Sequence, residues 1–376
     1  MATINYLTQI EIDSGAIALL PRALADFGIR RPLFVTDAGI VKAGLLKRVT
    51  DYLDSPDDIV VFQDTPPNPT EAAVEKATAV YLAHHCDGLV ALGGGSPLDL
   101  AKGIAVLATH PGPLSRYAGM EAMSLIGAQA APMIAIPTTS GTGSEVGRGA
   151  LICLHDGRKR VIVSPHLLPR RALCDPDLTL GLPPGLTAGT GMDAFTHCVE
   201  TFLSPRVNPP AEAIALDGSA RAWRWIERAV SHPCDGQARW EMMMAGIQGG
   251  LAFQKGLGAV HALAHPLGAL THPTLHHGTV NAVLLPVVLR FNDGYVGDKY
   301  IRLCQAMGLP AGTDLADAVV ALNSRIGMPA SLRQMGIDDA VVEAILDGAM
   351  ADHSTPTNPR PASRDDFRAL FFEALG

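Results

Sequence analysis

The sequence predicts two domains of different class, an α/β domain built on a parallel sheet and, after it, an all-α domain. Three observations carry this. Strand and helix signals alternate up to about residue 180. Beyond Leu180 the strand signal almost vanishes while helical spacing continues. The helical half also holds most of the histidines in a pattern that neither core nor surface filling explains. A chain of 376 residues suits two domains, and the boundary falls near 180, giving domains 1–180 and 181–376.

In order, residues 4–12 alternate as a strand and Ala16–Phe27 spaces as a helix. Pro32-Leu-Phe-Val-Thr-Asp is a short apolar run ending in a polar residue, as buried parallel strands are. Helical spacing covers about 41–54, and Asp58-Ile-Val-Val-Phe is the next strand. Thr70–His84 is a helix with Thr70 at its N-cap. Asp87-Gly-Leu-Val-Ala-Leu runs as a strand into Gly93-Gly94-Gly95-Ser96, and Leu98–Leu107 is helical. Met133-Ile-Ala-Ile-Pro is a strand ahead of Thr138-Thr-Ser-Gly-Thr-Gly-Ser-Glu. Ala150–His155 and Lys159–Ser164 form a hairpin around Asp156-Gly157. The second half predicts helices near 185–203, 210–230, 238–253, 258–270, 279–290, 297–307, 314–327 and 337–349.

Composition removes several classes. Hydrophobic residues make up 48% of the chain and the formal net charge is -8, which supports a large core and argues against a nucleic-acid surface. No apolar run approaches the roughly 20 residues of a membrane helix. The start Met-Ala-Thr-Ile-Asn-Tyr lacks the basic and apolar stretches of a signal peptide. The six cysteines are scattered with no Cys-x-x-Cys, as in a reduced, cytoplasmic protein.

The chemistry-bearing residues sit in three places. Asp193 and His197 are four apart, and so are His261 and His265. Residues at that spacing share a helix face, so two neighbouring helices can aim them into one pocket. With His276-His277-Gly278 downstream, the pattern predicts that Asp193, His197, His261 and His277 hold one divalent metal. Gly94, Gly95 and Ser96 lead from a strand into a helix whose N-terminus can receive a pyrophosphate, although G-x-G-x-x-G is absent. Thr138 and Thr139 open a second polar loop at a strand end, where open α/β sheets bind ligands. Asp37 ends a strand, where a carboxylate either accepts from a ribose 2′-OH and favours NAD over NADP, or caps the next helix. Asp99 and Lys102 read as either a surface ion pair or a cofactor contact.

Gly93-Gly-Gly-Ser-Pro-Leu-Asp-Leu-Ala-Lys102, Pro137-Thr-Thr-Ser-Gly-Thr-Gly-Ser-Glu145, Gly191-Met-Asp-Ala-Phe-Thr-His197 and His261-x-x-x-His265-Pro-Leu-Gly268 with His277-Gly278 together resemble the iron-containing (group III) alcohol dehydrogenases over essentially the whole chain. The resemblance implies an N-terminal Rossmann-like dinucleotide-binding domain and a C-terminal helical metal-binding domain, with the active site in the cleft between them. It implies NAD(H) as cofactor, held by Asp37, Gly94, Gly95, Ser96, Thr138, Thr139 and Lys159. Asp193, His197, His261 and His277 become ligands of Fe(II), with Zn(II) as the alternative, and His265 lies near nicotinamide and substrate. The interval from His265 to His277 is two residues longer than the common spacing, so either His276 or His277 can be the fourth ligand; His277 directly precedes glycine, as the family's histidine does.

Phe253-Gln-Lys-Gly-Leu-Gly258, the start Tyr6-Leu-Thr and the Leu167-Leu-Pro run are similar to the 4-hydroxybutyrate dehydrogenase-like branch. Phe253 and Lys255 are then the substrate candidates, the ammonium of Lys255 facing an ω-carboxylate or else lying solvated at a helix join. The expected partner is a small alcohol or aldehyde, with no nucleic acid or membrane, and the expected assembly is a homo-oligomer such as a dimer. The rival functions are a maleylacetate reductase, which generally lacks the full metal set, and an NAD- and metal-dependent lyase related to dehydroquinate synthase, whose phosphorylated substrate calls for more Lys and Arg than this stretch offers.

Overall fold

A computed structural model describes residues 8–55 and 59–376. Tyr6, Leu7, the first residues of the expected strand 4–12, and Asp58 lie outside the described residues. Two compact units divide the chain. One runs to Thr139 and resumes over Ser144–Gly181, and the other comprises Ser140–Gly143 and Leu182–Gly376.

The first unit contains, in order, β1 (Gln9–Ile12), α1 (Leu20–Asp26), β2 (Pro32–Val35), α2 (Ala38–Lys42), α3 (Leu45–Thr50), β3 (Val60–Phe62), α4 (Glu71–Ala83), β4 (Gly88–Gly93), α5 (Gly95–Leu107), β5 (Met133–Pro137), β6 (Gly149–Cys153), β7 (Lys159–Val163) and β8 (Arg171–Cys174). Six strands form one parallel sheet in the order β1-β8-β5-β4-β2-β3, and β6 pairs with β7 as the separate antiparallel hairpin. Every residue of β4 and β5 is buried. Their alternate side chains divide between two cores, as a pleated strand requires. Leu89, Ala91, Met133 and Ala135 join one core, while Val90, Leu92, Ile134 and Ile136 join the other. A sheet covered on both faces is why these strands read as unbroken apolar runs.

Two features of this unit differ from the expectation. β8 has no counterpart in the sequence reading, yet it lies between β1 and β5, with Ala172 paired to both Ile10 and Ala135. It is only four residues long, begins with Arg171 and is closely followed by Pro176, so it lacks the length that marks a strand. Helix α5 starts at Gly95 rather than Leu98, because Pro97 is tolerated in a first turn where its missing N–H costs nothing.

In the second unit the helices are α6 (Pro184–Leu203), α7 (Pro209–Ser231), α8 (Gly236–Ala252), α9 (Ala259–Leu267), α10 (His277–Asn292), α11 (Lys299–Ala306), α12 (Leu315–Arg325), α13 (Val342–Ala351) and α14 (Arg364–Leu375). No strand occurs here among the described residues. The last helix was not expected. It buries Phe367, Leu370, Phe371 and Ala374 at helical spacing and opens with a capping box between Ser363 and Asp366. Helix α6 is buried at every position from Thr187 to Leu203. It meets α10 so closely that a Cβ on Gly278 would lie 2.0 Å from the Gly189 carbonyl oxygen. That approach brings the polar residues of the two helices together.

Candidate metal and cofactor sites

Asp193, His197 and Glu200 project from one face of α6, His261 and His265 from α9, and His277 and Asn281 from α10. The structure brings four of these to one point. One ligand atom each from Asp193, His197, His261 and His277 lies within 4.8 Å of all the others. From Asp193 Oδ1 the Nε2 atoms of His197, His277 and His261 stand at 3.5, 3.7 and 3.9 Å. Four tetrahedral ligands at about 2.1 Å from a metal would be roughly 3.4 Å apart, so the set fits one ion after small adjustments. Asp193, His197 and His261 are at most 4% exposed, and the His277 side chain retains 23%.

The surroundings fix the imidazoles in the form a metal needs. His261 Nδ1–H donates to Glu200 Oε2 at 2.6 Å, while Glu200 Oε1 accepts from the Val260 amide at 2.8 Å. His197 Nδ1–H donates to the Gly141 carbonyl at 3.3 Å. Both bonds leave Nε2 without a proton and facing Asp193 Oδ1, the arrangement in which an outer partner orients a metal-binding histidine. Burial drives the His197 pKa down to about 4, against the opposing charge of Asp193, so the ring is neutral. Burial also pulls His261 down, but its bond to Glu200 and the charges of Glu200 and Asp193 outweigh it and leave the pKa raised. Gly249 is needed beside His197, since a Cβ there would come within 2.9 Å of the His197 Cβ.

Asn281 completes the group, and sequence reading missed it. Its Nδ2 donates to Asp193 Oδ1 at 2.8 Å and stands 3.3 Å from the Nε2 atoms of both His261 and His277. The available signal was position, because Asn281 is four residues beyond His277. Glu200 was missed although it sits one helical turn from His197. Between His276 and His277 the geometry discriminates. His276 caps α10, its Nδ1 accepting from the Thr279 amide, while His277 enters the cluster.

His265 stands beside the four. Its Nδ1–H donates to Asp352 Oδ2 at 2.7 Å, and its buried Nε2 has no partner. Its ring stacks on His277 at 5.7 Å and on His353 at 5.5 Å. Phe253 presents its ring edge-on to His197 at 4.8 Å. Lys255 departs from expectation. It is fully buried, and its ammonium donates to Glu212 Oε2 at 2.9 Å and the Phe202 carbonyl at 3.2 Å. With Lys299, which donates to the Phe202, Leu203 and Ser204 carbonyls, it satisfies the C-terminal end of α6, where positive charge is favoured. It is neither a solvated lysine nor free for a substrate carboxylate.

In the first unit, Gly94 is the N-cap of α5 and no side chain caps that helix. Its first-turn amides therefore remain available to an anion. Strands β2 and β5 flank β4, and the residues that follow them, Thr36 and Thr138, have buried hydroxyls with no partner. Two orphaned hydroxyls astride a glycine turn are donors for a bound polar group; Thr36 was not anticipated. Thr139 packs against Gly94, where a Cβ would meet its side chain at 3.4 Å. Ser96 Oγ donates to the Pro67 carbonyl, and Lys159 Nζ donates to Asn68 Oδ1 at 2.9 Å. Asp37 caps α2 through the Ile40 amide at 3.0 Å.

Asp99 and Lys102 are not a surface pair. Asp99 accepts from Ser144 Oγ at 2.6 Å and the Leu151 amide at 2.9 Å. Buried Lys102 donates to Ser144 and to the Gly147 and Gly149 carbonyls. Both brace the segment 144–151 from within, and both carboxylate oxygens of Asp99 are committed there. Burial raises the Asp99 pKa and lowers that of Lys102 to about 8.

Comparison with known proteins identifies the family. Residues 8–176 match the family model described as iron-containing alcohol dehydrogenase, and residues 187–375 match its C-terminal counterpart. The chain is 54% identical over 383 residues to a 4-hydroxybutyrate dehydrogenase of Cupriavidus necator, covering 100% of both. A crystal structure of 1,3-propanediol oxidoreductase superposes with a TM-score of 0.93 at 35% identity, covering all of both chains. A sulfoacetaldehyde reductase from Bifidobacterium kashiwanohense, solved with NAD+, gives 0.89 at 26% identity, covering 100% of this chain and 99% of its own. With family models spanning both units, the chain belongs to the iron-containing alcohol dehydrogenase family and is an oxidoreductase acting on alcohols.

Proposed function

We propose that this enzyme interconverts 4-hydroxybutyrate and succinate semialdehyde, using NAD(H) and one divalent metal held by Asp193, His197, His261 and His277. The convergence of one carboxylate and three imidazoles on a point carries the metal. The substrate rests on 54% identity to a 4-hydroxybutyrate dehydrogenase along the whole chain. When bound, a divalent metal would supply the Lewis acidity that makes the alcohol's hydroxyl proton labile and polarises an aldehyde oxygen. Fe(II) is the ion proposed and Zn(II) the alternative, since three nitrogens and one oxygen accommodate either.

The chain's own groups do the rest. Asp352 fixes His265 in the tautomer with its proton on Nδ1, leaving Nε2 able to take the alcohol's hydroxyl proton and return it in reduction. The Phe253 ring packs edge-on against His197. Hydride passes from the carbinol carbon to C4 of the nicotinamide, and the second hydrogen leaves as a proton. The dinucleotide's pyrophosphate sits at the uncapped N-terminus of α5 by Gly94, Gly95 and Ser96, with Thr138, Thr139, Lys159 and Asp37 beside phosphates and ribose. All six cysteines are free, which supports a cytoplasmic setting. Among the described residues, no helix is long and apolar enough to cross a membrane.

The test is NADH formation from 4-hydroxybutyrate and from neutral primary alcohols, before and after metal removal and after anaerobic return of Fe(II) or Zn(II). Activity should vanish with the metal and return with Fe(II). Full turnover by verified metal-free protein would overturn the metal assignment. Turnover of neutral alcohols alone would overturn the substrate.

A further inference from the structure

With Lys255 committed to Glu212, the ω-carboxylate of the proposed substrate needs another cation. Most arginines and lysines of the helical unit are paired with a carboxylate or a carbonyl. Lys299 and Arg302 share Glu212, Arg221 joins Asp217 and Glu241, and Arg325 joins Glu227. Arg206, exposed in the link between α6 and α7, bonds to no carboxylate among the described residues. Its location is fixed from two sides of one short stretch. Ser204 Oγ donates to the Lys255 carbonyl at 2.5 Å and accepts from the Arg206 amide at 3.4 Å. Just beyond, Thr357 Oγ1 donates to the Leu257 carbonyl at 2.6 Å, and Asn358 Oδ1 accepts from the Ala259 amide at 3.1 Å. Residues 255–259 thus tie the segment bearing Arg206 and the segment that follows His353 to one stretch; burial is the main cause that pulls the His353 pKa down to about 4, and the Arg206 guanidinium adds to it.

His353 is the outer ring of a stack that begins at the metal candidates. His277 stacks on His265 and His265 on His353, at 5.7 and 5.5 Å. The His353 side chain is 32% exposed, whereas that of His265 is 2% exposed. The stack therefore leads from the ligand cluster to the surface in two ring spacings. A four-carbon ω-hydroxy acid reaches about 6 Å from its hydroxyl to its carboxylate oxygens, and a hydrogen bond at the carboxylate adds about 3 Å, so a substrate whose hydroxyl lies at the ligand cluster carries its carboxylate toward the outer ring. The charge of Asp352, between the inner and outer rings, is taken up by His265 Nδ1–H and the Ser354 amide.

We propose that Arg206, assisted by His353, binds the substrate carboxylate and selects ω-hydroxy acids over neutral alcohols. The proposal deepens the substrate reading above and rests on it. A guanidinium pairs with carboxylate through two parallel donors, which suits a short acid whose other end must remain at the metal.

The test compares wild type with Arg206→Gln, Arg206→Lys and His353→Ala, using kcat/KM for 4-hydroxybutyrate relative to 1-butanol and the inhibition of 1-butanol oxidation by butyrate. Arg206→Gln should lower the ratio at least tenfold, chiefly through KM, and weaken butyrate inhibition at least tenfold. Arg206→Lys should recover part of both, and His353→Ala should lose a smaller share. A ratio and a butyrate constant that stay within twofold in Arg206→Gln would overturn the proposal. Should wild type oxidise 1-butanol but not 4-hydroxybutyrate, the substrate reading fails separately, and butyrate inhibition still decides whether Arg206 binds carboxylate.

Discussion

Replacing Glu200 with Gln isolates what an outer partner contributes to the ligand cluster. Glu200 touches no other member of the cluster by coordination; its two oxygens accept from His261 Nδ1 at 2.6 Å and from the Val260 amide at 2.8 Å. Glutamine keeps the shape but offers one carbonyl oxygen to two donors. If that oxygen stays with Val260, the amide NH2 faces Nδ1, and His261 must move its proton to Nε2, the atom aimed at the metal. If the oxygen turns to His261, a buried backbone N–H is orphaned. Loss of a hydrogen bond to a charged group is worth about 1.5–3 kcal/mol, or roughly one to two decades of affinity, in line with the 10–100-fold typical of such partners. Chelator competition on metal-free protein, with Co(II) under argon at neutral pH, reads the dissociation constant directly. Wild type should also lose metal as acidity rises through the elevated His261 pKa, since the proton and the metal compete for Nε2; in the variant that loss should begin at lower pH. A constant within threefold of wild type, with an unchanged melting temperature, would refute the role given to Glu200.

Three further outcomes follow from the packing. Gly278→Ala places a Cβ 2.0 Å from the Gly189 carbonyl oxygen and 3.0 Å from the Asp193 Cβ, so overpacking should cost about 3 kcal/mol and weaken metal binding, and a denaturation midpoint equal to wild type would refute it. Lys255→Met removes the bonds to Glu212 and Phe202; it should lower stability by about 1–3 kcal/mol and leave the preference for 4-hydroxybutyrate over 1-butanol in place, whereas a tenfold change in preference would make Lys255 a substrate contact after all. Burial raises the Glu145 carboxyl from 4.5 to about 7, so the native state holds that proton longer than the unfolded state, and the stabilisation present below 4.5 disappears as pH rises through 7. Glu145→Gln should abolish that loss, on the order of 3 kcal/mol, in urea melts at pH 5 and pH 8; parallel pH dependence in both proteins would refute it.

What the sequence discloses is what repeats locally. The pairs Asp193/His197 and His261/His265 can be read because four residues return a helix to the same face. The strands Met133–Pro137 and Gly88–Gly93 can be read because burial on both sides leaves no polar position. Strand β8 has too few residues for a period to emerge, and its pairing with β1 joins positions far apart in the chain. Among the site's partners, Glu200 is 61 residues from His261 and Asp352 is 87 from His265. No local spacing reports such distances. Lys255 misleads for a related reason. A lysine at a helix join reads as a substrate contact or a solvated side chain until the structure reveals that it faces the carbonyl end of α6 and Glu212.

That error points to how the cluster is sustained. Helix α6 carries Asp193, His197 and Glu200 while buried from Thr187 to Leu203, where unpartnered charge would be costly. Each polar group is therefore matched. Asp193 accepts from Asn281, His197 donates to Gly141, and Glu200 bridges His261 and the Val260 amide. At the helix end, Lys255 and Lys299 cover carbonyls that would otherwise be buried without donors. Removing any one partner leaves the other group stranded in the core, so ligand positioning and stability are coupled through the same bonds. Within this network the Nε2 atoms of His197 and His261 face Asp193 Oδ1 at 3.5 and 3.9 Å. A cation drawing these groups together would bind there, and its binding should add to the stability of α6, α9 and α10 together.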